Sequence, residues 1–550
     1  MGAGTGFGSR NRVGLRLTAA CLIVGLALSS VAGLPVGVAG AATQTVTNCN
    51  DSGAGSLRQA VATASSGDTV AFALSPSCST IALTSPIDIA MNLTIAGPGP
   101  GSSALALSAG GATDDVDVSS AVTDASISGL TVEDGSTGIH NDGSLTVTDC
   151  TMSNNTGGIS NDGTLSVTDS TLSDNITPHR NGLGGGGIEN QGSATVDDST
   201  FLNNRAARGV DGGAMANYGG SLSVTDSTVS DNHAGRGFGG AIFTRGGTLT
   251  ISDSTLSGNS SFGLSGGAID NEEGMVTVSD STLSGNSTLS GTGGGAIYSD
   301  GVVDITNSTL AGNSAPHGDG GAITNTGTLT VTHGTLAGNS ARHGGAIFTD
   351  AMTTMTASLV AESASGGDCS GTITDGGYNL DDDGSCGLTA GTDLSDTPAG
   401  LDPAGLQTNG GPTDTIGLEA GSPAIGAVTD ASLCSTPDQR GVARPTPCDI
   451  GAVQLSVPPQ AFTSPDTATT TAGTQFSFVV TTSGTTVPSI KKSGKLPKHL
   501  SLVDNGDGTA TISGKAVETG TYHLSIMATF GAGKTRSVVT QKFTLTVGSA

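Results

Sequence analysis

The phrase ISDSTLSGNSSFGLSGGAID at 251–270 returns as VSDSTLSGNSTLSGTGGGAIY at 278–298, 27 positions later. A phrase this short cannot bury its own apolar face, so copies must stack on one another, and no other feature limits the fold as much. Aligned on the Asn that closes each STLSGN-like phrase, the copies fall at Asn155, Asn175, Asn204, Asn232, Asn259, Asn286, Asn313 and Asn339, with spacings of 20, 29, 28, 27, 27, 27 and 26. Later copies add a glycine pair and a small or apolar residue, as in GGAIF at Gly239, GGAID at Gly266, GGAIY at Gly294, GGAIT at Gly320 and GGAIF at Gly344. Between them run alternating stretches such as TLTIS and TLTVT, whose period of two places every second side chain on one face. Apolar positions recur in register: Ile242, Leu249, Ile251 and Leu256 become Ile269, Val276, Val278 and Leu283, then Ile297, Val303, Ile305 and Leu310. These columns predict an all-β solenoid, a right-handed parallel β-helix with three short strands per coil and turns of Gly, Asn and Asp. Coils stacked at about 4.8 Å would carry the closing asparagines as an internal ladder. About ten coils between 124 and 365 would make a rod of roughly 50 Å.

Composition agrees with a repeat fold and against an ordinary globular enzyme. The 550 residues hold 88 Gly, no Trp and 3% aromatics, and are too many for one compact core. Charge divides the chain. Residues 43–455 hold nine Arg and no Lys against 43 acids, whereas 456–550 hold eight Lys plus Arg against four acids. SVPPQ at 456–460 also breaks the pattern, so a boundary falls near Leu455 to Pro459, ahead of a module at 459–550. A body this acidic makes nucleic acid an unfavourable partner.

Arg10, Arg12 and Arg16 precede an apolar run from Leu17 that ends in small residues near Ala41 and Ala42, the pattern of a secretory signal peptide over 1–42. No second apolar stretch is long enough to cross a membrane, so the mature chain is expected to lack a transmembrane segment and to be secreted or surface-associated. Outside the cytosol thiols are usually oxidised, and the simplest pairing is local: Cys49 with Cys78, Cys369 with Cys386, and Cys434 with Cys448. Cys150 is left over, in TDCTM where other copies read TDSTL or SDSTL, and is read as a small stacked side chain. No Cys or His spacing predicts a zinc site, and no cofactor motif occurs.

Several segments carry resemblances. The GGAI and F/L-x-x-N phrases, with FLNN at Phe201–Asn204, resemble the repeats of polymorphic outer-membrane-type β-helix surface proteins. VTNCNDSGAGSLRQAVATASSGDTVAF at 46–72 is similar to the N-terminal motif of secreted proteins with a CSLREA domain, departing from it at Gly55 and Gln59. GGYNLDDDGSCG, NGGPTDTIGLEAGSPAIGAV and DQRGVARPTPCDIGAVQ, within 376–454, resemble the choice-of-anchor Q domain. The segment from Ser489 through TYHLSIMATF resembles bacterial Ig-like domains and implies a small β-sandwich. The expected organisation is a leader (1–42), an N-terminal cap with first coils (43–123), β-helix repeats (124–365), C-terminal coils and cap (366–455) and the Ig-like module (459–550). Ser56 and Gln59 form a capping-box start for a helix running to about Ala64 that would cover the open edge of the first coil. The Cys369–Cys386 and Cys434–Cys448 loops would staple the irregular final coils.

Chemistry is sparse. Asp197 and Asp198 are the best adjacent carboxylates, but neighbouring strand residues face opposite ways. Arg205, Arg208, Asp211, His233 and Arg236 form a polar cluster in the turns of neighbouring coils, and His179, His317, His333 and His343 fall in loops or turns read as exposed. Asp504–Gly508 and Asp381–Asp383 tempt a calcium reading, yet the first is a hairpin-turn signal. The rod lacks Lys and the Gly-His-Gly stretch of pectin hydrolases. The expected function is non-catalytic adhesion or recognition, with a carbohydrate-active enzyme or a structural spacer as alternatives. Lys491, Lys492, Lys495 and Lys498 in KKSGKLPK are the candidate contacts to an anionic cell-envelope polysaccharide or another surface polymer.

Overall fold

Each repeat forms one coil of a parallel β-helix. The structure, a computed structural model, describes residues 41–99, 104–178, 184–263, 265–289, 291, 293–455, 461–483, 487–531 and 537–549. The leader reading falls on residues that, up to Gly40, lie outside these. Among the described residues the rod has a first sheet of 14 strands, running from Thr43–Val46 to Thr374–Asp375, a second of 13 and a third of 12. Thirteen coil-to-coil steps at the spacing of neighbouring strands give a length of about 60 Å. Within 124–365 the first sheet contributes ten strands, from Ala125–Ser128 to Met352–Thr356. The expectation of three strands per coil needs one correction. From Ile176–Thr177 to Ser340–Ala341 a two-residue strand after the closing Asn builds a fourth sheet of seven strands. The sequence shows no period there because two residues cannot display one.

The apolar columns stack as their register requires. Leu249 pairs with Val276, Ile251 with Val278, Leu256 with Leu283 and Ile242 with Ile269, and all eight are at most 1% exposed. Polar side chains that turn inward must find partners without water, and they find them in the next coil. Each closing Asn donates from Nδ2 to Oδ1 of the next, from Asn155 to Asn175 (3.1 Å) through Asn313 to Asn339 (3.0 Å). That Oδ1 also accepts from the preceding Asn backbone N–H, as Asn286 Oδ1 does from Asn259 (3.0 Å). Two further ladders escaped the sequence reading. Asn141, Asn161, Asn190 and Asn217 link at 2.7 Å per step, and Ser170, Ser199, Ser227, Ser254 and Ser281 accept from the backbone one coil earlier. Cys150 occupies the serine column at 3% exposure, and burial pushes its thiol up to about 11.

The glycine pair of GGAI follows from the same stacking. In most copies the first glycine is left-handed (φ +64° at Gly239, +68° at Gly320), a region closed to most side chains. The second has no room: a Cβ on Gly267 would stand 2.1 Å from the carbonyl oxygen of Gly295 in the next coil, and one on Gly321 would stand 1.9 Å from that of Gly345.

Both ends of the stack are closed. The helix Leu57–Thr63 is capped by Ser56, whose Oγ accepts from Gln59 N–H, and it adds Leu57, Ala60 and Val61 to the rod core. Arg58 ties it down through Asp51 and the carbonyls of Ser85 and Pro86. The structure joins Cys49 to Cys78, Cys369 to Cys386 and Cys434 to Cys448.

The C-terminal segment is more than final coils. After the antiparallel strands Leu401–Gln407 and Thr415–Leu418, the chain returns along the flank of coils laid down some 130 residues earlier. Gln439 donates to Ser281 O and Thr282 Oγ1 and accepts from Thr309 Oγ1 (2.6 Å), while Arg444 donates to Asn307 and to Gly451 O. Asp438, Gln439, Arg444, Asp449 and Gln454, all from the DQRG…CDIGAVQ phrase, are at most 6% exposed. This clasp corrects the reading of His333 as exposed. Residues Asp149, Asp169, Asp198, Asp226, Asp253 and Asp280 hold one left-handed turn column with φ between 45° and 55°, which continues as Asn307, His333 and Ala357. The column loses its carboxylates where the clasp covers it, because a buried charge would need a partner. His333 is 1% exposed and its Nε2 meets Leu433 O at 2.8 Å.

Residues 461–549 form two four-stranded sheets facing one core. In Gly520–Phe530 the alternation puts Leu524, Ile526, Ala528 and Phe530 inside, opposite Val480 and Ile512.

Two measurements check this account. Gly267→Ala is expected to lower unfolding stability by about 3 kcal/mol or more, while Thr250→Ala on the exposed side of the neighbouring coil costs under about 0.5 kcal/mol. Equal melting shifts would show the close approach to be absent. Burial and then the Arg444 charge hold His333 down to about 4, against about 6.5 in an unfolded chain. Between those values only the unfolded chain binds the proton, so stability rises with pH across that window by up to about 3 kcal/mol and is lost on acidification. His333→Gln should flatten that slope in urea titrations at pH 5 and 7.

Candidate functional site

The faces of the rod differ in chemistry. Outward positions of the first sheet are mostly Ser and Thr, as in Thr248, Thr250 and Ser252 of TLTIS, and those of the second read Thr and Ser or Ala. The third sheet gathers the titratable and aromatic side chains. Its strands alternate, so when Ile242 and Thr244 point in, Phe243 and Arg245 point out. The outward column reads Asp88, Asp117, His140, Ser160, Glu189, Ala216, Phe243, Asp270, Tyr298, Thr324 and Phe348 in register. Beside it stand Tyr218, Arg245 and Glu272.

In the middle coils these groups meet. Arg245 pairs with Glu272 at 2.6 Å, and its guanidinium carbon lies 5.1 Å from the Phe243 ring centroid, which is flanked by Tyr218 at 5.5 Å and Phe238 at 6.2 Å. Asp211 reaches the group from the loop before its own strand and accepts from Phe238 N–H (2.9 Å). Asp270 is 1% exposed, accepts from Gly266 N–H through one oxygen (3.3 Å), and leaves the other, like the Tyr218 hydroxyl, without a hydrogen bond. Burial raises Asp211, raises Asp270 well above the carboxylate range with Glu272 adding to it, and lifts Tyr218 far above the ordinary tyrosine value. Glu189 is pushed up to about 7 by burial and then by Asp162. A shallow groove of about 630 Å³ adjoins this cluster at the turns into the first sheet, lined by Gln191, Gly219, Gly246, Glu273 and Met275 among others.

The structure divides the polar cluster expected from sequence. Asp211 belongs with Tyr218 and Arg245. His233 stacks in register with Arg205 and Ser260 on the fourth sheet, meets Ser260 Oγ at 3.0 Å, and is held down by burial and by Arg205. Arg208 and Arg236 are exposed, as are Asp197 and Asp198. His317 is exposed, His343 pairs with Asp319 at 2.6 Å, and His179 lies outside the described residues. The oxygens of Asp381 and Asp383 accept from backbone N–H groups of Cys386, Asp368 and Ser385, and those of Asp504 from Ile490 and Gly506, so both serve turns. Lys491 and Lys492 lie on the edge strand Ser489–Ser493, with Lys492 donating to Gly494 O, and Lys495 and Lys498 are exposed in the following loop. The aromatic and ionic set was missed in the sequence because Tyr218, Phe243, Asp270 and Glu272 come from three copies. Its one signal is the variable residue after the Ile or Met of each strand.

Comparison with known families gives two matches. Residues 116–301 match the family model described as "Right handed beta helix region", and residues 458–548 match the one described as "Putative Ig domain". No curated protein and no solved structure matches the chain. A right-handed β-helix joined to an Ig-like domain points to a surface or secreted protein. Among the described residues no helix is long and apolar enough to cross a membrane.

A pH test addresses the buried carboxyl. Because Asp270 is raised in the folded chain, the folded state keeps a proton that the unfolded state releases, and stability falls as pH rises above the ordinary carboxylate range. Asp270→Asn removes that titration, so its melting temperature should fall less than that of the unaltered chain between pH 5 and 8.

Proposed function

We propose that the chain is an exported recognition protein, without catalytic activity, that holds a glycan along the outer face of the third sheet while the rod serves as its support. The observation that carries this reading is the sorting of side chains, with rings, a guanidinium and carboxylates clustered on the third sheet and mostly Ser and Thr facing outward on the first two. Aromatic rings beside hydrogen-bonding forks suit sugar rings, which offer apolar faces and hydroxyl edges. Tyr298, Arg245 and Phe238 are accessible there, and β-helix domains often bind polysaccharides. In the Ig-like module Lys491, Lys492, Lys495 and Lys498 would add attachment to an anionic envelope polymer.

The same geometry argues against hydrolysis. Asp270 is closed to any substrate, Glu272 is held by Arg245, and among the described residues lining the groove Glu273 is the one carboxylate. A glycosidase needs two carboxyls facing one bond. The enzyme reading retains one observation in its favour: Glu189 and Asp211 both hold protons more tightly than ordinary carboxyls, as a general acid must.

A glycan array run with the unaltered chain and with Arg245→Ala plus Tyr298→Ala separates the readings. Binding that falls at least tenfold in the double variant, with no release of reducing ends or unsaturated products, is expected. Product release abolished by Glu189→Gln would establish the enzyme instead, and glycan binding indifferent to the double variant would remove this face as the site.

A further inference from the structure

Towards the N-terminal end of the third sheet, two consecutive coils bring three metal-ligating side chains to one point. His140 stands on the outward side of the strand Ile139–Asn141, whose other two residues are buried. Asp142 follows two residues on, and Asp162 takes the corresponding turn of the next coil, where Asn161 pairs with Asn141 in register. His140 Nε2 lies 3.3 Å from Asp142 Oδ1, and one donor atom from each of His140, Asp142 and Asp162 lies within 4.8 Å of the other two. The backbone beneath them is fixed. Asp142 N–H donates to Val118 O (2.9 Å), Asp162 N–H donates to Asn141 O (2.9 Å), and the buried Asn141 Nδ2 donates to Asn161 Oδ1 (2.7 Å). Donors carried on so regular a support are preorganised rather than gathered by a loop.

No basic side chain of the neighbouring sequence serves this cluster, which has no Lys or Arg between Arg58 and Arg180. The charge of Asp142 also bears on Asp117 one coil earlier, and that of Asp162 on Glu189 one coil later. A protonated imidazole would offset one carboxylate and leave the others facing each other. What separates this group from the stacked turn aspartates elsewhere on the rod is its nitrogen donor. Oxygen-only sets suit Ca²⁺ and Mg²⁺, whereas imidazole suits the transition ions.

We propose that His140, Asp142 and Asp162 bind a divalent transition ion of the Zn²⁺ class. Bonds of about 2.0–2.1 Å in a tetrahedron set neighbouring donors about 3.3 Å apart, the separation that His140 Nε2 and Asp142 Oδ1 already have. Asp162 is exposed and closes the remaining distance by side-chain rotation. Three protein donors leave the fourth position of such an ion to water. Sequence spacing shows no ligand motif here because Asp142 and Asp162 come from different coils, and only the stacking makes them neighbours.

The test uses the full-length chain without a polyhistidine tag, stripped with EDTA and dialysed at pH 7.5. Calorimetric titration with ZnCl₂ should show a single site that excess CaCl₂ leaves in place, and CoCl₂ should give the visible absorption bands of a protein-ligated ion. His140→Ser, which installs the residue its own column carries at Ser160, should weaken Zn²⁺ affinity at least tenfold and lose the Co²⁺ bands while keeping the far-ultraviolet circular dichroism. Asp162→Asn should also weaken affinity at least tenfold. Absence of Zn²⁺ binding in the unaltered chain overturns the proposal. Undiminished affinity in either variant overturns it too, by moving the ion to another histidine such as His343 beside Asp319. Displacement of Zn²⁺ by Ca²⁺ would overturn the class of ion.

Discussion

Coil-to-coil hydrogen bonding at the strand spacing governs this molecule. A side chain that turns inward sees its own counterpart one coil away, so every interior position must be able to satisfy itself by repetition. Apolar residues do so by contact. Asn does so because it carries both donor and acceptor, which lets Asn232 give to Asn259 while receiving from Asn204. Asp in those columns would set carboxylate against carboxylate with no proton to share. The same spacing excludes a Cβ from the second glycine of each pair and admits a small serine or Cys150 in its own column. The repeat is therefore the solution to a steric and hydrogen-bonding problem posed once per coil.

Outward positions escape that rule, and there the copies diverge. Turn aspartates stack with like charges in the left-handed region and are tolerated because water screens them. Where the clasp removes that water, the column changes to Asn307, His333 and Ala357, and Arg444 enters beside Asp280, which burial and Asp253 push up to about 6. The polar phrase from Asp438 to Gln454 resembles a site in sequence because it is rich in Asp, Gln and Arg. Its side chains are spent on one another and on the rod, so its work is structural. The rings and the Arg245–Glu272 ion pair are instead on the third sheet, where they replace hydroxyls.

Much of the architecture was legible in the residues. The 27-residue period, the alternation in TLTIS and the recurrent Asn determine a parallel β-helix, because no other arrangement keeps those columns in register and their amides paired. The Ser56 cap and the alternation of TYHLSIMATF determine the terminal helix and the sandwich strands, since both patterns act over a few residues.

Tertiary structure decided what depends on distant partners. Which turns are buried was settled by a clasp that returns over coils some 130 residues earlier, so His333 looked like any loop histidine. Whether Asp211 joins His233 or Tyr218 was settled by which side chains its loop packs against. Asp115 is buried against Gly135 of the next coil, where a Cβ would stand 2.2 Å from its carboxylate, although sequence shows only another acidic turn there. Local period sets the coil because each copy repeats the same short-range forces, and only packing between non-identical copies sets where charge is buried, paired or left open.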